Sequence, residues 1–205
     1  MTTAEKLYKD NKDIKCFATG YLEVLAKLLL SLDTQEIKVF ADRLEKARIE
    51  QRTIFLIGNG GSAATASHMA NDFGIGITKY TNIDRPFRFL ALTDCVPVMS
   101  AIANDDCYEH VFLSQLKVHY RPGDVLVCIS ASGHSINVLN AAKWIKDKGG
   151  SVLALTGFDG GKLRNMADAA IHVPTPQGDF GHVEDVHMVM DHLLANWFAQ
   201  YLKGT

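Results

Sequence analysis

No cysteine pair, no excess of positive charge and no membrane-length apolar run marks this sequence, and each lack removes a class of function. The four cysteines, Cys16, Cys95, Cys107 and Cys128, form no CxxC pair, so neither a zinc ribbon nor a disulfide framework is spelled out. They read as reduced thiols. Lysine and arginine total 21 against 23 acidic residues, which leaves no clustered positive charge from which a binder of phosphate backbones draws its affinity. No nucleic acid partner is expected. The apolar stretch Leu22 to Leu32 is interrupted by Glu23, Lys27 and Ser31 and falls short of the roughly 20 residues that a membrane span requires. The polar opening MTTAEKLYKDNKD has neither the apolar centre of a signal peptide nor the Arg-rich pattern of a transit peptide. A cytoplasmic protein with no membrane partner is the expectation.

What is present is the mixture of an ordinary globule, 47% apolar and 21% charged residues, in a length that one core can serve. We expect one domain over residues 1–205, with a helical hairpin over 1–51 and an α/β core over 52–205. In the first segment Phe17, Tyr21, Val24, Leu25, Leu28 and Leu29 recur at spacings of three and four, the helical period. Leu32-Asp33-Thr34 breaks the pattern, and Asp33 suits the N-cap of a second helix with Ile37, Phe40, Ala41 and Leu44 on its apolar face. Such a pair either covers its own sheet or packs on a partner subunit. From Thr53 onward the runs TIFLIG, FRFLALT, DVLVCIS, SVLALTG and AAIHVP alternate with helix-length segments. Five near-continuous apolar runs signal parallel strands buried on both faces. The fold class is therefore a doubly wound α/β sheet, in which ligands gather beyond the carboxyl ends of the strands.

Those ends are where the polar motifs sit. The first run closes on Gly58-Asn59-Gly60-Gly61-Ser62 and passes straight into a helix, a turn that suits an anion through the unpaired amides of a helix start. It matches neither the dinucleotide fingerprint nor the P-loop. The third run closes on Ser130-Ala131-Ser132-Gly133-His134-Ser135, whose hydroxyls and amides can hold three phosphate oxygens without Lys or Arg. Two such turns on strands one and three meet where a doubly wound sheet reverses direction, so a small phosphorylated ligand is expected there. His68 and Asp72 share a helix face at a spacing of four and can share a metal or a proton. In the final helix His182, Glu184, Asp185, His187, Asp191 and His192 crowd an otherwise apolar pattern. At roughly 100° per residue Glu184 stands about 80° from His192, so both reach one site only from its edges.

Taken in order, GNGGSAATASHMANDF, LTDCVPVMSAIANDDCYEHVF, ISASGHSINVLNAAKWIKDKG, LALTGFDGGKLRNMAD and HVEDVHMVMDH resemble the sugar isomerase (SIS) domain proteins, specifically the phosphoheptose isomerases. The resemblance spans nearly the whole chain. It implies a five-stranded parallel sheet, a homotetramer with active sites between subunits, a zinc ion, and conversion of sedoheptulose 7-phosphate to D-glycero-D-manno-heptose 7-phosphate through an enediol. Carried over by position, it puts the phosphate at Ser130, Ser132 and Ser135 and the sugar at Asn59, Gly60, Ser62, Asn104 and Asp105. It makes Asp72, Glu184 and His192 catalytic and His68, Asp72, Glu184 and His192 metal ligands. The chain departs from the pattern in having Asp72 for the usual Glu, Glu184 for the usual Gln and Ala131 for a common Thr. The alternative reading is a non-catalytic SIS module that senses a sugar phosphate or scaffolds partners; it would keep the turns and lose the His/acid set.

Overall fold

The computed structural model describes residues 1–204. Three helices open the chain: α1 (Thr3–Asp10), α2 (Ile14–Ser31) and α3 (Thr34–Ile49). The hairpin expected from periodicity is α2 and α3, and a short helix precedes it. Side chains set all three starts: Thr2 forms a capping box with Glu5, Asp13 accepts from the Lys15 and Cys16 amides, and Asp33 accepts from Gln35 N at 2.7 Å. Capping of this kind is worth about 1 kcal/mol per helix. A break at Asn11–Asp13, where Asp13 offers a fresh cap, separates α1 from α2.

Five strands follow, β1 (Thr53–Gly58), β2 (Arg88–Ala91), β3 (Val125–Ser130), β4 (Ser151–Gly157) and β5 (Ala169–Val173), all parallel, in the order β2-β1-β3-β4-β5. The connections are α4 (Gly61–Asn71) with a π-helical turn Asp72–Gly76, α5 (Val96–Asp105), a 3-10 turn Tyr108–His110, α6 (Leu113–His119), α7 (Ile136–Asp147) and α8 (Gly161–Met166). The chain closes on α9 (Phe180–Tyr201). Because successive strand residues face opposite ways, the apolar runs feed two cores. Ile54, Leu56, Val125, Val127, Leu153 and Leu155 pack under α3, α4 and α9, while Phe55, Ile57, Leu126, Cys128, Val152 and Ala154 pack under α5 to α8. Each fully buried Leu, Ile or Phe contributes roughly 1.5–3 kcal/mol, which is why these runs have no polar face.

The order matters for function. The chain leaves β1 for β2 on one side and then returns across it to β3 on the other, so the reversal falls between β1 and β3. Register pairs Gly58 with Ile129, which sets the two strand tips, with their Gly/Ser turns, side by side. Among the cysteines only Cys128 is buried, and all four are free. No helix among the described residues is long and apolar enough to cross a membrane.

Candidate active site

The two turns at the reversal are built mostly from backbone. Gly60 and Ser135 precede α4 and α7 without a side-chain capping bond; Ala63 N is taken by backbone carbonyls and Val138 N by Asn137 Oδ1, which leaves the amides of Gly61, Ser62, Ile136 and Asn137 as helix-start donors. The second turn is held from behind by the loop after β4. Gly133 has φ +62°, and a Cβ there would lie 2.1 Å from the Gly160 carbonyl oxygen, a contact that only glycine escapes. Ser130 Oγ accepts from Gly133 N and Ser132 Oγ from His134 N, both at 3.2 Å. Their hydroxyl protons remain to be donated. Ser62, in the first turn of α4, is buried.

A pair of asparagines locks the turns together. Asn59 Nδ2 donates to Asn137 Oδ1 at 3.0 Å, while Asn59 Oδ1 accepts from Asn137 Nδ2 and from the Tyr108 hydroxyl, each at 2.8 Å. Asn137 is 3% exposed, so this reciprocal bond fixes the tip of β1 against the first turn of α7. Asn104 and Asp105 stand apart. They lie exposed at the end of α5, with Asn104 Nδ2 donating to Asp105 Oδ1 at 2.8 Å, and no hydrogen bond among the described residues joins them to the turns.

A second set of groups lies where α4 meets α9. His68, Asp72, Asp191 and His192 each offer a ligand atom, and these atoms lie within 4.8 Å of one another. His68 Nδ1 stands 2.8 Å from Asp191 Oδ2 and 3.6 Å from Asp72 Oδ2, and the His68 and His192 rings meet edge to face at 5.0 Å. Asp191 is fully buried and its Oδ1 has no partner. Burial, reinforced by the Asp72 charge, pushes its carboxyl up to about 6 against the opposing bond from His68. Two imidazoles and two carboxylates so placed suit a divalent cation that takes nitrogen and oxygen ligands, zinc among them.

Glu184 is not one of the four. Seven residues before Asp191, it falls on nearly the same face of α9 but about two turns nearer the turns that end the strands. Its carboxylate rests against Gly61: a Cβ on that glycine would sit 2.3 Å from Glu184 Oε2. Burial, with the neighbouring Asp185 charge, raises its carboxyl above the usual range. The start of α9 is held from the other side by the opening helices. The Tyr21 hydroxyl donates to Asp185 Oδ2 at 2.6 Å, its ring stacks on His182 at 3.9 Å, and Thr3 N donates to Asp179 Oδ1 at 2.6 Å. His187, between Glu184 and Asp191, is wholly buried; its Nε2 reaches the Thr156 carbonyl at 3.3 Å and its Nδ1 has no partner. Desolvation pulls it down to about 4, so it stays neutral.

The chain thus joins a doubly wound sheet, two Gly/Ser turns at its reversal and a His/Asp cluster between α4 and α9. The SIS domain family model matches residues 20–157. The phosphoheptose isomerase of Rhodospirillum rubrum is 40% identical over 141 residues, covering 69% of this chain and 72% of its own length. That of Aneurinibacillus thermoaerophilus is 35% identical over 84% of this chain and 80% of its own. The solved phosphoheptose isomerase of Neisseria gonorrhoeae superposes with a TM-score of 0.74 at 31% identity, covering 88% of this chain and 91% of that one. The chain belongs to the SIS-domain family and, within it, to the phosphoheptose isomerase family of enzymes.

Proposed function

We propose that the chain interconverts the aldose and ketose forms of a phosphorylated sugar in the cytoplasm, sedoheptulose 7-phosphate giving D-glycero-D-manno-heptose 7-phosphate through an enediol. The names of its relatives support the heptose, and the turns support the phosphate. Amides and hydroxyls of Ser130, Ser132 and Ser135 hold the phosphoryl oxygens, while Asn59, Gly60 and Ser62 line the sugar. Binding energy gathered at the phosphate orients the far end of the chain of carbons.

One observation carries the reading: a carboxylate with a raised pKa rests on Gly61 at the start of α4, on nearly the same face of α9 as Asp191 of the His/Asp cluster. A base working near neutral pH needs such an environment. Glu184 takes the proton from the carbon beside the carbonyl and returns it to the neighbouring carbon, and His192 moves the hydroxyl proton. Asp72, 3.6 Å from His68 Nδ1, belongs with the ligands rather than with the base. His68, Asp72 and His192 would hold zinc, and Glu184, about two turns away on α9, stays free to act as the base. Zinc, when bound, polarises a carbonyl and stabilises a developing oxyanion.

Oligomerisation is part of the proposal. No residue of α2 is buried, and Leu22 and Leu30 are 63% and 88% exposed, which supports burial of this helix between subunits of a homotetramer. The test is turnover of sedoheptulose 7-phosphate by the wild type and by Glu184→Gln. Loss of about 10²–10⁴-fold in the variant, the usual worth of a positioned acid or base, is expected; equal turnover would overturn the assignment.

A further inference from the structure

We infer that Asp191 is the positioning residue of the His/Asp cluster: its buried carboxylate holds His68 by Nδ1, so that Nε2 is the atom His68 presents to a divalent cation. The inference rests on the proposed metal-binding role of that cluster. Its basis is an asymmetry among four side chains that look alike in sequence. The side chain of Asp191 is 0% exposed, that of Asp72 24% and that of His68 42%, and His192 is exposed. Three groups therefore line the open side, where a substrate can arrive, and one sits behind them.

The ring of His68 settles which way the centre faces. Its Nδ1 meets Asp191 Oδ2 at 2.8 Å and Asp72 Oδ2 at 3.6 Å. A ring nitrogen 2.8 Å from a buried carboxylate oxygen carries the proton, since an imidazole lone pair there would face an acceptor. The lone pair then belongs to Nε2. A carboxylate behind a ligating imidazole fixes its tautomer and orientation and raises its basicity, and removing such a partner lowers metal affinity by roughly 10–100-fold.

Asp191 Oδ1 adds a second argument. It is buried without a hydrogen-bond partner, and an unpaired buried carboxylate oxygen is a cost to the fold. A residue kept for stability would not carry that cost. A residue that places negative charge behind a cation-binding imidazole would. Stability and metal binding should then respond to its removal in opposite directions.

The test uses the full chain stripped of metal and titrated with Zn²⁺ against a chromophoric chelator, as wild type, Asp191→Leu and Asp191→Asn, with thermal melting of each metal-free protein. Asp191→Leu should bind zinc roughly 10–100-fold more weakly while melting no lower than the wild type. Asp191→Asn, whose side-chain oxygen still accepts from Nδ1, should lose less. Nitrogen-15 shifts of His68 in the metal-free wild type should report protonated Nδ1 and bare Nε2, a readout that survives if Asp191→Leu does not fold. Equal zinc affinity in wild type and both variants, or a proton on Nε2, would overturn the inference and leave the metal centre standing. A wild type that binds no zinc would remove both.

Discussion

The turns at the tips of β1 and β3 and the cluster between α4 and α9 solve two different problems with different materials. The first uses backbone amides and hydroxyls, carries no formal charge, and is fixed by contacts in which a single added carbon has no room, as at Gly133. The second uses titratable side chains and tolerates an unsatisfied buried oxygen on Asp191. An anion that keeps its charge throughout a reaction is well served by rigid dipoles. A carbonyl whose charge and protons shift needs groups that change protonation near neutral pH. Helix α9 runs past both: Glu184 rests on Gly61 near the first turn, Asp191 and His192 belong to the cluster, and His187 between them ties the helix to the Thr156 carbonyl of β4.

The largest effect should come from breaking the rigid half. Gly133→Ala puts a Cβ 2.1 Å from the Gly160 carbonyl at a φ of +62°, so either the turn or the loop behind it must move. We expect a loss of about 2–4 kcal/mol in stability by denaturant unfolding and a collapse of phosphate binding. Zinc binding in the folded fraction should persist, and concerted loss of both would erase the distinction between the regions.

A smaller effect should come from the strut between them. His187 has a pKa near 4 in the fold against an ordinary 6.5, so between those values the unfolded chain binds the extra proton and the folded chain does not. Its contribution to stability is full above about pH 6.5 and is lost as pH falls towards 4, by about 3 kcal/mol for a fully buried group. Asp191, pushed up to about 6, acts in the opposite sense, since the fold holds its proton more tightly and that stabilisation fades as pH rises through 6. The difference between wild type and His187→Leu isolates the histidine. Unfolding free energies that fall equally in both as the pH drops would show that the buried imidazole is not the cause.

The same division explains what could be read from the sequence. TIFLIG and SVLALTG match β1 and β4 residue for residue, because strands buried on both faces leave an unbroken apolar trace. The run FRFLALT yields only Arg88–Ala91 as β2, an edge strand with one neighbour. The Gly/Ser turns at the tips of β1 and β3 were legible because each is contiguous, with glycines where the backbone bends and serines beside them. The cluster was half legible. His68, Asp72 and His192 stand out by chemistry and resemblance, but Asp191 is 123 residues from its partner His68 and adjacent to a more conspicuous histidine. Nothing in the helical pattern distinguishes it from a solvated acid. The Asn59–Asn137 pair and the Tyr21–Asp185 bond were hidden for the same reason. Helix geometry alone put Glu184 about 80° from His192, but not that the cluster with His192 leaves Glu184 out.

The central claim is that phosphate recognition and proton transfer are separable. Titrating His192→Ala with sedoheptulose 7-phosphate by calorimetry, alongside its turnover, tests it most directly. The account predicts affinity within a few-fold of the wild type and turnover lower by about 10²–10⁴-fold; undiminished turnover, or affinity falling in step with it, would contradict the account.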